Sequence, residues 1–159
     1  AGLASFRGVK RRQEVRGEIR GVLVLDDFAH HPTAVRETLS GIRARYRGRR
    51  IWAVFEPRSN TSRRNIHQTE YAAAFDDADV VVLKVPEPHD KVPADQRLDV
   101  DTVVRQVAAR GIEARAVAEV PAIVEIVASG ARPGDVVLVM SNGAFGGLIP
   151  LLVEALGAR

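Results

Sequence analysis

Four short apolar runs, separated by stretches long enough for a helix, constrain this chain more than any other feature. They are Gly21-Val22-Leu23-Val24-Leu25, Ile51-Trp52-Ala53-Val54-Phe55, Val80-Val81-Val82-Leu83 and Asp135 to Met140. Their apolar residues are consecutive rather than alternating, as expected of strands buried on both faces of a parallel sheet. The segments between them carry helical spacing. Val35, Leu39, Ile42 and Tyr46 mark a helix over 32–47. A second helix runs from about Arg64 to Asp76, and Val100, Val103, Val104, Val107 and Ala108 share one face of a third. A fourth helix over 121–129 opens at Pro121 and stops at Gly130; a fifth, Leu148 to Leu156, stops at Gly157. Gln13 to Ile19 reads as a strand turning at Gly21 into the first apolar run, and Ala114 to Val117 as a further short strand. The pattern predicts an α/β fold: a Rossmann-like, mostly parallel sheet of about six strands, helices on both faces, and one antiparallel strand at an edge. Residues 1–12 read as a linker and 13–159 as the domain; the strand order stays open.

Composition narrows the function. At 159 residues the chain is about one domain long. Its pI of 9.8 suggests nucleic acid, yet the formal net charge is only +3. The basic excess falls at Arg7 to Arg20, Arg43 to Arg50, and around Arg58, Arg63 and Arg64, and only the last group lies at a predicted strand end. The aromatics, 5% of the chain, mostly occupy core positions instead of interleaving with basic residues as stacking platforms, which argues against nucleic acid as partner. No apolar run approaches the roughly 20 residues of a membrane span, and Ala1 to Arg7 lack the apolar segment of a secretory signal. With no cysteine, disulfides, thiolate zinc sites and cysteine nucleophiles are excluded, and a cytoplasmic location is the simplest expectation.

Three polar loops follow strand carboxyl ends, where open α/β sheets bind their ligands. The first, Asp26-Asp27-Phe28-Ala29-His30-His31-Pro32-Thr33, places two carboxylates and two imidazoles between a buried strand and a helix. These groups either cap the turn or carry chemistry. The second, Glu56-Pro57-Arg58-Ser59-Asn60-Thr61-Ser62-Arg63-Arg64-Asn65, offers guanidinium forks for carboxylate or phosphate; the alternative is a solvated loop with Thr61 or Ser62 as a helix cap. The third is Ser141-Asn142-Gly143-Ala144-Phe145-Gly146-Gly147. Pro150 belongs in a first helical turn, so the last helix should begin near Gly146 or Gly147, leaving an approach loop with free N–H groups, or else a plain strand-to-helix turn.

No Gly-x-x-x-x-Gly-Lys-Ser/Thr loop is present, and no Gly-x-Gly-x-x-Gly follows the first strand. Ser62 and Ser141 lack a nucleophile-elbow setting. Asp26, Asp27, His30 and His31 could meet at a metal, but neighbouring histidines rarely point at one ion, so no metal site is expected. The residues alone describe an α/β domain with an anion-friendly cleft.

The first loop resembles the Asp-Asp-Tyr/Phe-x-His-His-Pro-Thr motif that opens the C-terminal domain of Mur ligases, ATP-dependent enzymes that build the peptidoglycan peptide. Phe6-Arg7-Gly8-Val9-Lys10-Arg11-Arg12-Gln13-Glu14 resembles the linker into that domain. Phe55 to Thr61 and Ser141 to Gly147 resemble most the branch that recycles cell-wall tripeptide by joining it to UDP-N-acetylmuramate. The branch that adds L-alanine, whose second loop reads Phe-x-Pro-His-Arg-Tyr, is the alternative, as is a stand-alone anion-binding module. Four motifs in order make the resemblance specific, and it spans essentially the whole chain.

The resemblance implies that His30 and Asp27 act in catalysis. It implies that Phe28, His31, Arg58, Ser59, Asn60, Thr61, Arg63, Arg64, Ser141, Asn142, Gly143 and Phe145 bind the incoming cell-wall peptide. It further implies ATP and Mg in the full-length enzyme, none held tightly by this domain, and N-terminal and central domains of the same chain that bind the UDP-sugar and carry the phosphate loop. A fragment without that loop should be inactive by itself. A metal-dependent phosphoesterase using the Asp-His loop is a further rival, separable by metal analysis.

Overall fold

The computed structural model describes residues 10–88 and 91–159; most of the expected linker, residues 1–9, lies outside them. A single sheet holds β1 (Glu14–Ile19), β2 (Val22–Asp27), β3 (Ile51–Phe55), β4 (Val80–Lys84), β5 (Glu113–Val117) and β6 (Val136–Met140) in the order β1-β2-β6-β3-β4-β5. Only β1 runs antiparallel, paired with β2 along the edge. All other neighbours are parallel.

Residue parity sorts the strands between two cores, because successive side chains leave a strand on opposite faces. Leu23, Leu25, Ile51, Ala53, Phe55, Val81, Leu83, Leu138 and Met140 face one core. There they meet α1 (Pro32–Arg45), α2 (Gln68–Ala74) and α3 (Val100–Ala109). Val22, Val24, Trp52, Val54, Val80, Val82, Val137 and Val139 face the other, against α4 (Val120–Gly130) and α5 (Leu148–Gly157). The four central strands are therefore buried along their whole length, while β1 and β5 keep exposed positions as edges do.

The expected second helix is shorter than its sequence pattern. Asn65–His67 form a single 3₁₀ turn, α2 covers Gln68–Ala74, and Phe75 ends it with its ring fully buried. Neither Thr61 nor Ser62 caps it; the N-cap position is His67, without a side-chain hydrogen bond. The last helix starts at Leu148, as its helical pattern predicts, just past the Gly146 or Gly147 start that Pro150 suggests. Phe145, Gly146 and Gly147 all take positive φ (48°, 57° and 74°), the left-handed conformation that reverses a chain sharply and favours glycine. Gly147 is the N-cap of α5.

Strand β6 lies between β2 and β3, although it is last in sequence. Helices α1 and α2, which follow β2 and β3, pack on one face; α5, which follows β6, packs on the other. The connections diverge at the carboxyl end of β6, which is the crevice that α/β sheets use for ligands.

Candidate active site

The three polar loops leave the sheet from β2, β6 and β3, three adjacent strands, and so meet at one edge. Ser141 joins the second and third loops: its Oγ donates to Glu56 Oε2 at 2.6 Å and accepts from the Gly143 N–H at 3.0 Å. Arg58 then crosses Gly143 so closely that a Cβ there would collide with the arginine stem. Arg11, at the start of the described chain, ties the first strand pair to the third loop. Its Nη2 donates to the carbonyls of Ser141 and Gly143, each at 2.6 Å, and its guanidinium lies over the Phe28 ring at 5.1 Å. Charge-assisted bonds of this kind are roughly twice as strong as neutral ones. The loop order is therefore held by ionised groups at the mouth of the site.

The ionisable groups of the first loop do not converge. Consecutive β2 positions face opposite sides of the sheet. Asp26 is buried against Arg16 at 3.1 Å and Arg11 at 3.6 Å. Asp27 turns the other way, where Oδ1 accepts from the Ala29 N–H at 2.7 Å and Oδ2 from the Gln13 N–H at 2.9 Å. Both Asp27 oxygens thus hold backbone, which makes the carboxylate a clamp that shapes the loop. His31 is the N-cap of α1, its Nδ1 accepting from the Thr33 N–H at 3.3 Å, and its ring meets His67 edge-on at 4.6 Å.

His30 is left over. Its Nδ1 lies 3.0 Å from the Phe28 carbonyl oxygen, an acceptor, so Nδ1 donates, and in the neutral ring Nε2 is the nitrogen with the lone pair. Tyr71 holds the backbone beneath it, donating to the His30 carbonyl at 2.5 Å. Burial pushes the Tyr71 phenol above its ordinary range, partly offset by a hydrogen bond with Ser62, with nearby Glu70 raising it further, so it remains a donor. Phe28 stands 45% exposed beside His30, ring centroids 5.6 Å apart, an apolar shelf at the site.

The other expected residues divide. Arg58, Asn60 and Thr61 are exposed. Ser59 is occupied in a turn with Ser62, Oγ to Oγ at 2.8 Å. Arg64 reaches away to Gln96 at 3.0 Å. Arg63 Nε and Asn142 Oδ1 are buried without hydrogen-bond partners. Phe145 is only 2% exposed and its ring packs into the α4–α5 core, while the residue also lines a cavity with Arg11, Ser141 and Gly143. The third loop's donors are also partly occupied: Gly143 N–H by Ser141, Gly147 N–H by the Ala144 carbonyl. Glu56, Arg11 and Tyr71 were not singled out from sequence, because their partners lie 85, 130 and 41 residues away.

Among the described residues no three His, Asp or Glu side chains are grouped to hold a metal ion. None of the described helices is long and apolar enough to cross a membrane.

Fold and loops together define an α/β domain whose polar loops stand on three adjacent strands. The chain belongs to the Mur ligase family: the model described as "Mur ligase, glutamate ligase domain" matches residues 11–143. It is 40% identical over 159 residues to the UDP-N-acetylmuramate–L-alanyl-γ-D-glutamyl-meso-2,6-diaminoheptandioate ligase of Escherichia coli (strain K12), covering 99% of this chain and 32% of that protein. The chain thus spans about a third of the length of that relative. A murein peptide ligase from Psychrobacter arcticus 273-4 superposes with a TM-score of 0.81 at 34% identity, covering 99% of this chain and 32% of that one. A domain from a putative ligase of the same type in Haemophilus ducreyi 35000HP superposes with a TM-score of 0.74 at 36% identity, covering 91% of this chain and 99% of that one.

Proposed function

We propose that this domain presents the incoming peptide in an ATP-dependent ligase that joins L-alanyl-γ-D-glutamyl-meso-2,6-diaminoheptanedioate to UDP-N-acetylmuramate in the cytoplasm. The observation that carries the reading is the isolation of His30. Of the two imidazoles in its loop, His30 is the one whose Nδ1 donates and whose Nε2 is left to accept, His31 using its Nδ1 to accept from Thr33. His30 stands beside Phe28 at the edge where the Arg58 loop converges. Upstream segments would bind UDP-N-acetylmuramate and ATP with its Mg. Phosphorylation of the muramate carboxylate supplies the acyl phosphate. The peptide's terminal amine attacks its carbonyl carbon, the C–N bond forms, and inorganic phosphate leaves with the C–O electron pair. His30 Nε2 accepts the proton that the amine must lose, a task suited to imidazole near neutral pH. Arg58 attracts a peptide carboxylate.

The test is reconstitution. This chain joined to its upstream segments should release ADP and phosphate only when both the tripeptide and UDP-N-acetylmuramate are present, while the chain alone unfolds cooperatively and turns nothing over. Ligation by the isolated chain, or indifference of the joined protein to the peptide, would overturn the reading. An anion-binding module without chemistry would bind tripeptide and yet support no ligation in the joined protein.

A further inference from the structure

A cavity of about 270 Å³ opens beside the site, at the carboxyl end of β4. Nothing in the alternating pattern of the chain announces it. It is assembled from the loop after β3, the loop after β4 and the start of α3. Its lining is of three kinds. Val85, Val92 and Leu98 supply apolar surface, Arg63 and Arg97 supply guanidinium groups, and Glu87 and Asp101 supply carboxylates. The backbone fixes Arg63 in place, since the Leu98 N–H donates to the Arg63 carbonyl at 2.8 Å and the Arg63 N–H donates to the Ser59 carbonyl at 3.0 Å. Arg97 uses Nε to hold the Val92 carbonyl at 3.0 Å, and that bond shapes the wall. Arg63 Nε, by contrast, is buried with no partner. A desolvated donor left unpaired is disfavoured, and a turn of the Arg63 side chain, which lines the cavity, would bring it to a ligand oxygen.

Both signs of charge around an apolar floor suit a zwitterion on an aliphatic stem, not a plain anion. Strand β4 lies three places from β2, whose following loop carries His30, roughly 14 Å at ordinary strand spacing. Three residues of extended peptide cover about 10 Å, and the aliphatic stem of the third residue extends the reach. We propose that this cavity receives the far end of the acceptor peptide, the amino acid head of its diaminoheptanedioate residue. The carboxylate of that head lies against Arg63 and Arg97, and its ammonium group lies toward Glu87 and Asp101. The proposal rests on the peptide-ligase reading above. It makes Arg63 and Arg97 determinants of which third residue is accepted, apart from the chemistry at His30.

Kinetics of the full-length ligase carrying this domain test the assignment, using three acceptors: the diaminoheptanedioate tripeptide, its lysine counterpart without the terminal carboxylate, and the dipeptide L-alanyl-γ-D-glutamate. The parent enzyme should prefer the diaminoheptanedioate peptide to the lysine peptide at least tenfold in kcat/KM, as loss of one charge-assisted contact implies. Arg63→Gln and Arg97→Gln should each bring that ratio to within about threefold of unity, and Arg63→Lys should recover part of it. Arg97 is exposed, so its variant keeps the test readable even if Arg63 replacements unfold. A parent ratio near one, or variants that keep the parent ratio, would overturn the cavity assignment while leaving the ligase reading intact. Ligation of none of the three peptides by the parent would overturn both.

Discussion

Arg58 lies across the Cα of Gly143, seating the loop after β3 on the loop after β6. Gly143 does not need glycine for its backbone, since its φ is not positive; it needs glycine for the space above it. The atoms in the way belong to a flexible side chain, so Gly143→Ala should fold with little change in melting temperature and push the arginine aside. The peptide KM of the full-length ligase should then rise while the KM for UDP-N-acetylmuramate holds. A large loss of melting temperature, or equal changes in both constants, would show that the contact supports the fold instead of the substrate.

His30→Ala separates chemistry from stability. The ring is only half-buried, and substitutions at such positions usually change stability by within about 0.5 kcal/mol. General acid–base catalysis contributes about 10²–10⁴-fold. In the full-length ligase kcat should drop at least about tenfold, a lower bound on that range, while the isolated domain keeps its melting temperature. Retained kcat would remove His30 from the mechanism.

Asp27→Ala should do the reverse. Its carboxylate holds the Gln13 and Ala29 amides, and bonds to a charged acceptor contribute about 1.5–3 kcal/mol. For a domain of this size that is a fall on the order of 5–10 °C, measurable by circular dichroism on this chain alone. An unchanged melting temperature would show that the carboxylate does not support the fold through these two amides.

Acid should weaken the start of α3 in a defined window. The Thr102 hydroxyl, then its backbone N–H, donate to Asp99 and hold its carboxyl below the ordinary value of 3.8. Because the folded value is the lower one, the unfolded chain binds the proton more readily. The stabilisation is complete above the unfolded value and is lost as pH falls through the folded one. The urea midpoints of the parent and Asp99→Asn should therefore draw together as pH falls from 5 toward and below about 3. Loss of an N-cap acceptor altogether, as in Asp99→Ala, should cost about 0.5–2 kcal/mol at neutral pH. A parent–Asn difference independent of pH would show that the carboxylate charge is immaterial.

What the sequence determined by itself was the order of strands and helices and the two-faced burial of the four central strands. Consecutive apolar residues in Val22–Leu25, Ile51–Phe55, Val80–Leu83 and Val136–Met140 leave no solvent face, and helical spacing around Val35, Leu39 and Ile42 leaves only one side for packing. Such signals are local, carried by side-chain period and by Gly or Pro at the ends. The loops that matter were legible too, because polar residues at strand ends are equally local. Only the tertiary structure decided that β6 lies between β2 and β3, and therefore that Ser141 reaches Glu56 and Arg11 reaches Ser141. It also decided direction: Asp26 and Asp27 part company across the sheet, Phe145 turns inward on a left-handed backbone, and Arg63 joins Arg97 around a cavity. Those outcomes depend on crossover connections tens of residues long. Hydrophobic period specifies that a strand is buried, but not which neighbour buries it.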